Sequence, residues 1–267
     1  MSNKAFLSIC DIHAGYGKKE ILHGINFVVE PHTLTALVGA NGCGKSTLMK
    51  CIANQLSYKG ECVLLHEKLS QMSLKKLARK VSYMPQKSSL SIAISVLDVV
   101  LMGFNPVLKL MERPSQAHKE LALEALRKVG LNGFENRDYQ TLSEGEKQLV
   151  ILARIFVEDT KILLLDEPDS ALDFQNRYRV IKKIRQMILG KEKAGIICIH
   201  DPALALEFCD QLILIKDGSH IATIEPQNHS IAMMEKALQH IYGNVTIAEC
   251  IDKKGQRHLK LLWEDEE

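Results

Sequence analysis

The stretch Gly39-Ala40-Asn41-Gly42-Cys43-Gly44-Lys45-Ser46-Thr47 decides the fold. Its spacing is G-x-x-x-x-G-K-[ST], in which glycines let the backbone curl until successive N–H groups surround an anion. An apolar run, Thr35 to Val38, leads into it, and a helical run, Ser46 to Ala53, leaves it. The N-terminus of that helix faces the same anion, and its dipole favours negative charge there. Lys45 can reach β- and γ-phosphates, and the Ser46 hydroxyl can ligate Mg2+. A glycine-rich turn that binds nothing needs neither a strand before it nor a helix after it. Cys43 reads as a tolerated small residue rather than a redox switch. A helix terminus lowers a thiol pKa, but nothing else marks this one.

The same strand, turn and helix recur outward from the loop. Ile162 to Leu165 and Ile196 to Ile199 are short apolar runs that suit strands buried on both faces of a parallel sheet. Helical stretches follow at Gln175 to Leu189 and Pro202 to Phe208, and Asp201-Pro202 has the form of an N-cap with a first-turn proline. The alternation indicates an α/β fold. In such sheets ligands bind at the carboxyl ends of the strands. Asp166 and Glu167 end the second run, and His200 ends the third. Asp166 is placed to hold Mg2+, often through water, and Glu167 to orient or deprotonate an attacking water. An Asp-Glu pair is by default two exposed loop acids, and a lone histidine is by default structural. Three strand ends delivering polar residues to one sheet edge argue instead for a site.

The middle and the end of the chain differ. Residues 90–141 lack strand-like runs and hold two helical stretches, Ser95 to Gly103 and Gln116 to Val129. In the second, Leu121, Ala122, Ala125, Leu126 and Val129 share one face. This segment, with its loop from Asn105 to Pro114, reads as a helical subdomain inserted into the α/β core. Val245 to Cys250 and His258 to Trp263 read as strands around a turn at Asp252-Lys253-Lys254-Gly255, ahead of a solvated tail from Glu264 to Glu267. The 267 residues carry a net charge of +2, so no basic surplus argues for nucleic acid. At 46% hydrophobic and 25% charged, the composition is that of a soluble globular protein. A membrane span needs about 20 mostly apolar residues, and the longest uncharged stretch, Pro31 to Gly44, is broken by glycines. The first residues hold no apolar signal core. The seven cysteines are irregularly spaced, which suits reduced, mostly buried thiols in a cytoplasmic protein rather than a zinc site.

Leu142-Ser143-Glu144-Gly145-Glu146 resembles the L-S-G-G-Q signature of the ATP-binding cassette (ABC) ATPases, about twenty residues before Asp166. Pro85-Gln86, after Val81 to Met84, resembles that family's glutamine loop, and Ser170-Ala171-Leu172-Asp173 its dimer-contact loop. Tyr16, in Gly15-Tyr16-Gly17, resembles the aromatic residue that stacks on adenine, and His200 falls where the switch histidine falls. A phosphate loop alone could belong to a kinase or GTPase. Seven elements in order from Tyr16 to Asp217 are far more specific.

The resemblance implies a P-loop NTPase core with a mostly parallel sheet, an antiparallel β subdomain and an inserted helical subdomain. It makes residues 1–89 and 142–225 the catalytic core, 90–141 the helical subdomain, and 226–267 a C-terminal helix and β-hairpin extension. ATP and Mg2+ are the implied cofactors. Tyr16, Gly39, Asn41, Gly42, Cys43, Gly44, Lys45, Ser46 and Thr47 would hold the nucleotide, and Ser46, Gln86 and Asp166 the metal. Glu167, His200, Lys45 and Gln86 would carry catalysis. Ser143 and Gly145 would meet the nucleotide of a second copy in a head-to-tail dimer that sandwiches two ATP molecules.

Ser143-x-x-Glu146 is also a capping box, starting a helix that runs to Val157. Glu144 and Glu146 stand where the family has a common glycine and glutamine. Carboxylates there suit the helix dipole but sit awkwardly near a partner's phosphates unless they point away. Ala40 replaces a common proline, and Asp169 a common threonine. One cassette without a span implies integral membrane permease subunits on other chains, peripheral attachment at the cytoplasmic face of the inner membrane, and an extracytoplasmic substrate-binding protein acting indirectly. Ile241-Tyr242-Gly243-Asn244-Val245, the hairpin with Lys254-Gly255, and Val96 to Gly103 resemble the iron-chelate and cobalamin importer ATPases. That implies uptake of ferric siderophore, haem or cobalamin, with part of Ser88 to Leu97 lining a groove for a permease helix. The alternative is a non-transport cassette of the iron–sulfur cluster assembly type, which would partner soluble proteins. Translation and repair cassettes carry two cassettes or a long coiled-coil insertion, and no charged heptad run is present. A regulator that does not hydrolyse would not need Glu167 and His200.

Overall fold

The computed structural model describes residues 5–86, 93–109, 111–190, 192–255 and 257–263. The chain opens with two long strands, β1 (Leu7–Tyr16) and β2 (Lys19–Val29), followed by β3 (Leu34–Val38) and helix α1 (Lys45–Ile52). Then come β4 (Lys59–Leu64), β5 (Glu67–Lys68), α2 (Leu74–Ala78) and β6 (Val81–Met84). Helices α3 (Val96–Leu101), α4 (Gln116–Val129) and α5 (Glu144–Glu158) precede β7 (Ile162–Asp166). After it come α6 (Phe174–Leu189), β8 (Ala194–Cys198), α7 (Pro202–Phe208), β9 (Gln211–Lys216) and β10 (Ser219–Ile224). The end is α8 (Ile231–Tyr242), β11 (Val245–Ile251) and β12 (Arg257–Trp263).

Six strands form the central sheet in the order β10-β9-β3-β8-β7-β6. All neighbours pair parallel except β10, which is antiparallel to β9. Every residue of β3, β7 and β8 is buried, the mark of strands covered on both faces. The side chains of these strands and of β9 alternate between two cores. Leu34, Ala36, Leu163, Leu165, Ile197, Leu212 and Leu214 pack toward α5, α6 and α7. Ile162, Leu164, Ile196, Cys198, Ile213 and Ile215 pack toward α1 and a second, antiparallel sheet of order β2-β1-β4-β5. The sheet is thus a wall between two hydrophobic layers, and its carboxyl edge is held rigid from both sides. Five of the seven cysteines are buried in these layers. Burial pushes the Cys51 and Cys62 thiols up to about 12, so they stay protonated.

The helical segment enters and leaves the core at one place. Ser95 and Asp138 form an antiparallel bridge, with the Tyr139 N–H donating to the Ile94 carbonyl at 2.9 Å. The expected helix at Ser95 to Gly103 is α-helical only over Val96–Leu101, capped by Ser95, and tightens to a 3-10 turn at Met102–Phe104. Helix α4 has the bounds read from its periodicity. Ser115 and His118 form a capping box at its start, and Gly130 ends it at φ 90. Helix α7 and strand β6 also keep the bounds read from sequence, and others shift by one or two residues, as at β8, which begins at Ala194 rather than Ile196. Residues 88–92 of the expected groove and the tail 264–267 lie outside the described residues. Among the described residues, no helix is long and apolar enough to cross a membrane.

Candidate active site

Strand β3 ends at Val38 and the chain turns through the phosphate loop into α1. Gly42 (φ 79) and Gly44 (φ 109) take backbone conformations that residues with a Cβ disfavour. A Cβ on Gly44 would stand 2.6 Å from Leu22 Cδ2, so the β1–β2 hairpin presses directly on the loop. A Cβ on Gly42 would meet nothing and would project into open space. That space is a cavity of about 350 Å3. Tyr16, Ile21, Asn41, Gly42, Gly44, Lys45, Ser46, Thr47, Gln86, Glu167 and His200 line it.

The residues fit a polyphosphate with one divalent ion. Lys45 is buried, and its Nζ donates to the carbonyls of Gly39 (2.7 Å) and Ala40 (3.0 Å). This cation sits at the loop's centre on weak partners, available to a phosphate. The Ser46 hydroxyl donates to Asp166 Oδ1 at 3.1 Å, so an alcohol and a carboxylate already share one corner. Burial raises the Asp166 pKa, and the Ser46 hydrogen bond opposes that shift. Among the described residues, no group of three or more His, Cys, Asp or Glu side chains could hold a metal ion. A hydroxyl and a single carboxylate match Mg2+, which keeps waters and shares phosphate oxygens rather than entering an all-protein cage.

Glu167 follows β7 at φ 54 and is buried. Both its oxygens are held: Gln86 Nε2 donates to Oε2 at 2.5 Å, and His200 Nε2 lies 2.7 Å from Oε1. The strand ends after Met84, Asp166 and Cys198 bring Gln86, Glu167 and His200 together at one edge of the sheet. Tyr16 sits at the rim, half exposed, with the Lys50 ammonium 5.7 Å from its ring centre. Its open face can take a planar base.

Three expected residues stand back from the cavity surface. Gly39 is packed so tightly that a Cβ would lie 2.2 Å from the Ile215 carbonyl oxygen. The Cys43 side chain is buried beneath the loop, and its N–H donates to the Ala40 carbonyl at 3.3 Å. Asp166 is reached through Ser46. Ser143 and Gly145 do not line the cavity. Ser143 caps α5, receiving the Glu146 N–H, and Glu146 Oε2 accepts the Ser143 N–H at 2.8 Å.

Two supports were not legible as motifs. Ile21, an ordinary strand residue, forms part of the cavity wall. Gly218, in the β9–β10 turn at φ 75, donates its N–H to the Cys43 carbonyl at 3.1 Å and accepts from the His23 N–H at 2.9 Å. A Cβ there would stand 1.9 Å from the Ile21 carbonyl oxygen, so only glycine can brace the loop and β2 together. The Asp-Gly pair was the one signal for it.

The ABC transporter family model matches residues 22–170. The chain belongs to the ABC transporter family. A hemin import ATP-binding protein, HmuV, of Jannaschia sp. is 34% identical, over 89% of this chain and 87% of its own. An uncharacterized ABC transporter ATP-binding protein of Haemophilus influenzae is 38% identical, over 79% and 83% respectively. In structure, a chain of a metal-chelate type ABC transporter in an inward-facing conformation superposes with a TM-score of 0.80. It covers 98% of this chain and 99% of its own at 24% identity, a likeness of fold. As an ABC transporter ATPase, this chain hydrolyses ATP. The parallel sheet, antiparallel sheet and helices are the cassette architecture.

Proposed function

We propose that this ABC ATPase powers import of haem or a closely related metal chelate. The importer reading is favoured over iron–sulfur assembly by the relatives named for hemin import. The observation that carries the chemistry is the convergence of Lys45, Ser46, Gln86, Glu167 and His200 on one cavity. The Gly42–Thr47 backbone and Lys45 would cradle the β- and γ-phosphates, with Tyr16 against adenine. Mg2+, held by Ser46, Asp166 and the Gln86 side chain, would supply neutralising charge on the phosphate oxygens. Glu167 orients the attacking water and accepts its proton as the bond to the γ-phosphorus forms and ADP leaves. His200 holds the Glu167 carboxylate in place.

The signature lies outside its own chain's cavity, which supports a head-to-tail dimer in which Ser143 and Gly145 close the second copy's site. The helices between residues 90 and 141, with the glutamine loop, would pass closure to integral membrane permease subunits. The chain would then work at the cytoplasmic face of the inner membrane, fed by an extracytoplasmic binding protein.

Glu167→Gln should lower ATP turnover by at least about a hundredfold while ATP binding persists, the loss expected of a general base. Unchanged turnover would sink the assignment of Glu167. Cells lacking the chain should fail to grow on haem as iron source yet grow on ferrous salt. Normal growth on haem would reject the substrate assignment. Affinity capture from native membranes should bring a polytopic permease, and recovery of soluble partners alone would reject the importer.

A further inference from the structure

Gln148 stands one turn into α5, two residues past Glu146. Its amide spans the loop behind Glu167. Nε2 donates to the Ser170 hydroxyl at 2.9 Å and to the Glu167 carbonyl at 3.4 Å. Oε1 accepts the Ala171 N–H at 3.2 Å. One side chain thus holds three points of a loop whose first residue is the catalytic carboxylate.

Glu167 needs such support. At φ 54 its backbone is in the left-handed region, where a residue with a Cβ is strained, and strain persists only when surrounding contacts over-determine it. Its carbonyl is the hub of those contacts, receiving the Ser170 N–H (3.3 Å) and Ser170 hydroxyl (3.1 Å) besides Gln148. The loop's other flank is tied more loosely: Asp169 Oδ2 and Arg177 Nε of α6 are 3.6 Å apart, beyond hydrogen-bond length. On the Gln148 side, α5 approaches closely enough that a Cβ on Gly145 would stand 2.8 Å from the Ala171 carbonyl oxygen.

We propose that Gln148 is a positioning residue for hydrolysis: it clamps the loop behind Glu167 and so makes the signature helix and the catalytic carboxylate of one chain move together. The proposal rests on the ATPase reading above. Where Ser143, at the start of the same helix, engages a second copy's nucleotide, the clamp would carry that engagement to Glu167 in the chain's own site.

The test is ATP turnover by the full chain for wild type, Glu167→Gln, Gln148→Leu, Gln148→Glu and Ser170→Ala, with the Gln148→Leu/Ser170→Ala double variant. Gln148→Leu should lower kcat about tenfold with the KM for ATP within about twofold, the pattern of a group acting in the transition state alone. Gln148→Glu is nearly isosteric and serves should the leucine variant not fold. It removes the donor to the Glu167 carbonyl and should also lose kcat. Losses from Gln148→Leu and Ser170→Ala should be strongly sub-additive, because both act through one carbonyl. Wild-type kcat in the Gln148 variants, a rise in KM with kcat unchanged, or additive losses would overturn the clamp. Those outcomes, with wild type active and Glu167→Gln inactive, would leave the ATPase reading standing. A wild-type chain without turnover would overturn both.

Discussion

Glu146 shows how one side chain can satisfy two demands at a helix start. Its carboxylate accepts both the N–H (2.8 Å) and the hydroxyl (2.9 Å) of Ser143, and these bonds hold its pKa below the usual carboxylate range. Arg137 leans on the other oxygen at 3.8 Å. Glu144 turns along the helix to Lys147 at 2.8 Å. Both departures from the family signature therefore have partners within their own chain, which lessens the repulsion they would offer a second copy's phosphates. Glutamine at 146 would keep the reach to the Ser143 N–H and remove one negative charge. Glu146→Gln should hold unfolding free energy within about 0.5 kcal/mol and lower the KM for ATP. Ser143→Ala should cost about 1 kcal/mol, the ordinary loss of an N-cap. Thermal melting and steady-state kinetics check both, and a higher KM in Glu146→Gln would mean the carboxylate assists binding.

At the scale of elements, the C-terminal hairpin is bound to the core by polar as well as apolar contacts. Gln239 and Glu235 of α8 take the Val245 carbonyl (3.1 Å) and the Ile247 N–H (2.7 Å), and Trp263 packs edge-on against Tyr242. His258 of β12 meets Glu207 of α7 at 2.7 Å and Asp252 at 3.5 Å, with Tyr178 sharing Glu207. The Glu207 hydrogen bond raises the His258 pKa above its ordinary 6.5. A raised histidine contributes stability that is complete below the unfolded pKa and lost as pH rises through the folded one. The hairpin should therefore loosen as pH climbs above about 6.5. Amide exchange in β11 and β12 should accelerate as pH rises above about 6.5, beyond the intrinsic base-catalysed rise, and His258→Gln should abolish that excess. Identical protection in both proteins would reject the clasp. This pairing was hidden in the sequence, because 51 residues separate His258 from Glu207. Strands β3, β7 and β8 were legible for the opposite reason: a strand buried on both faces writes an unbroken apolar run, as in Ile162 to Leu165. Strands β1 and β2 face a core on one side only, so their alternation is weaker as a signal. Likewise Lys45 and Ser46 announce themselves by local spacing, while Gly218 and Gln148 matter only through contacts made in three dimensions.

Across the whole molecule, a division of labour separates the two halves of the chemistry. The cavity gathers the phosphate loop, Gln86, Glu167 and His200 from strand ends of one chain, and the capped start of α5 takes no part in its wall. The start of α5 lies outside its own chain's cavity, and its two carboxylates are tied to Ser143 and Lys147 within the chain, which leaves the capped end open to an anion supplied by a second copy. Head-to-tail pairing would give two equivalent sites, each with one chain's phosphate loop and the other's signature, in a closed two-fold dimer. Complementation distinguishes this from a site complete within one chain. Lys45→Ala disables the phosphate loop, and Ser143→Arg blocks the signature. In a mixed dimer of the two variants, one site inherits both defects. The other inherits neither, because its phosphate loop comes from the Ser143→Arg chain and its signature from the Lys45→Ala chain. Each variant alone should be inactive, and an equal mixture should recover up to about a quarter of wild-type turnover, since half the dimers are mixed and each has one sound site. A mixture as inactive as its components would show that Ser143 serves its own chain, and the head-to-tail arrangement would have to be abandoned.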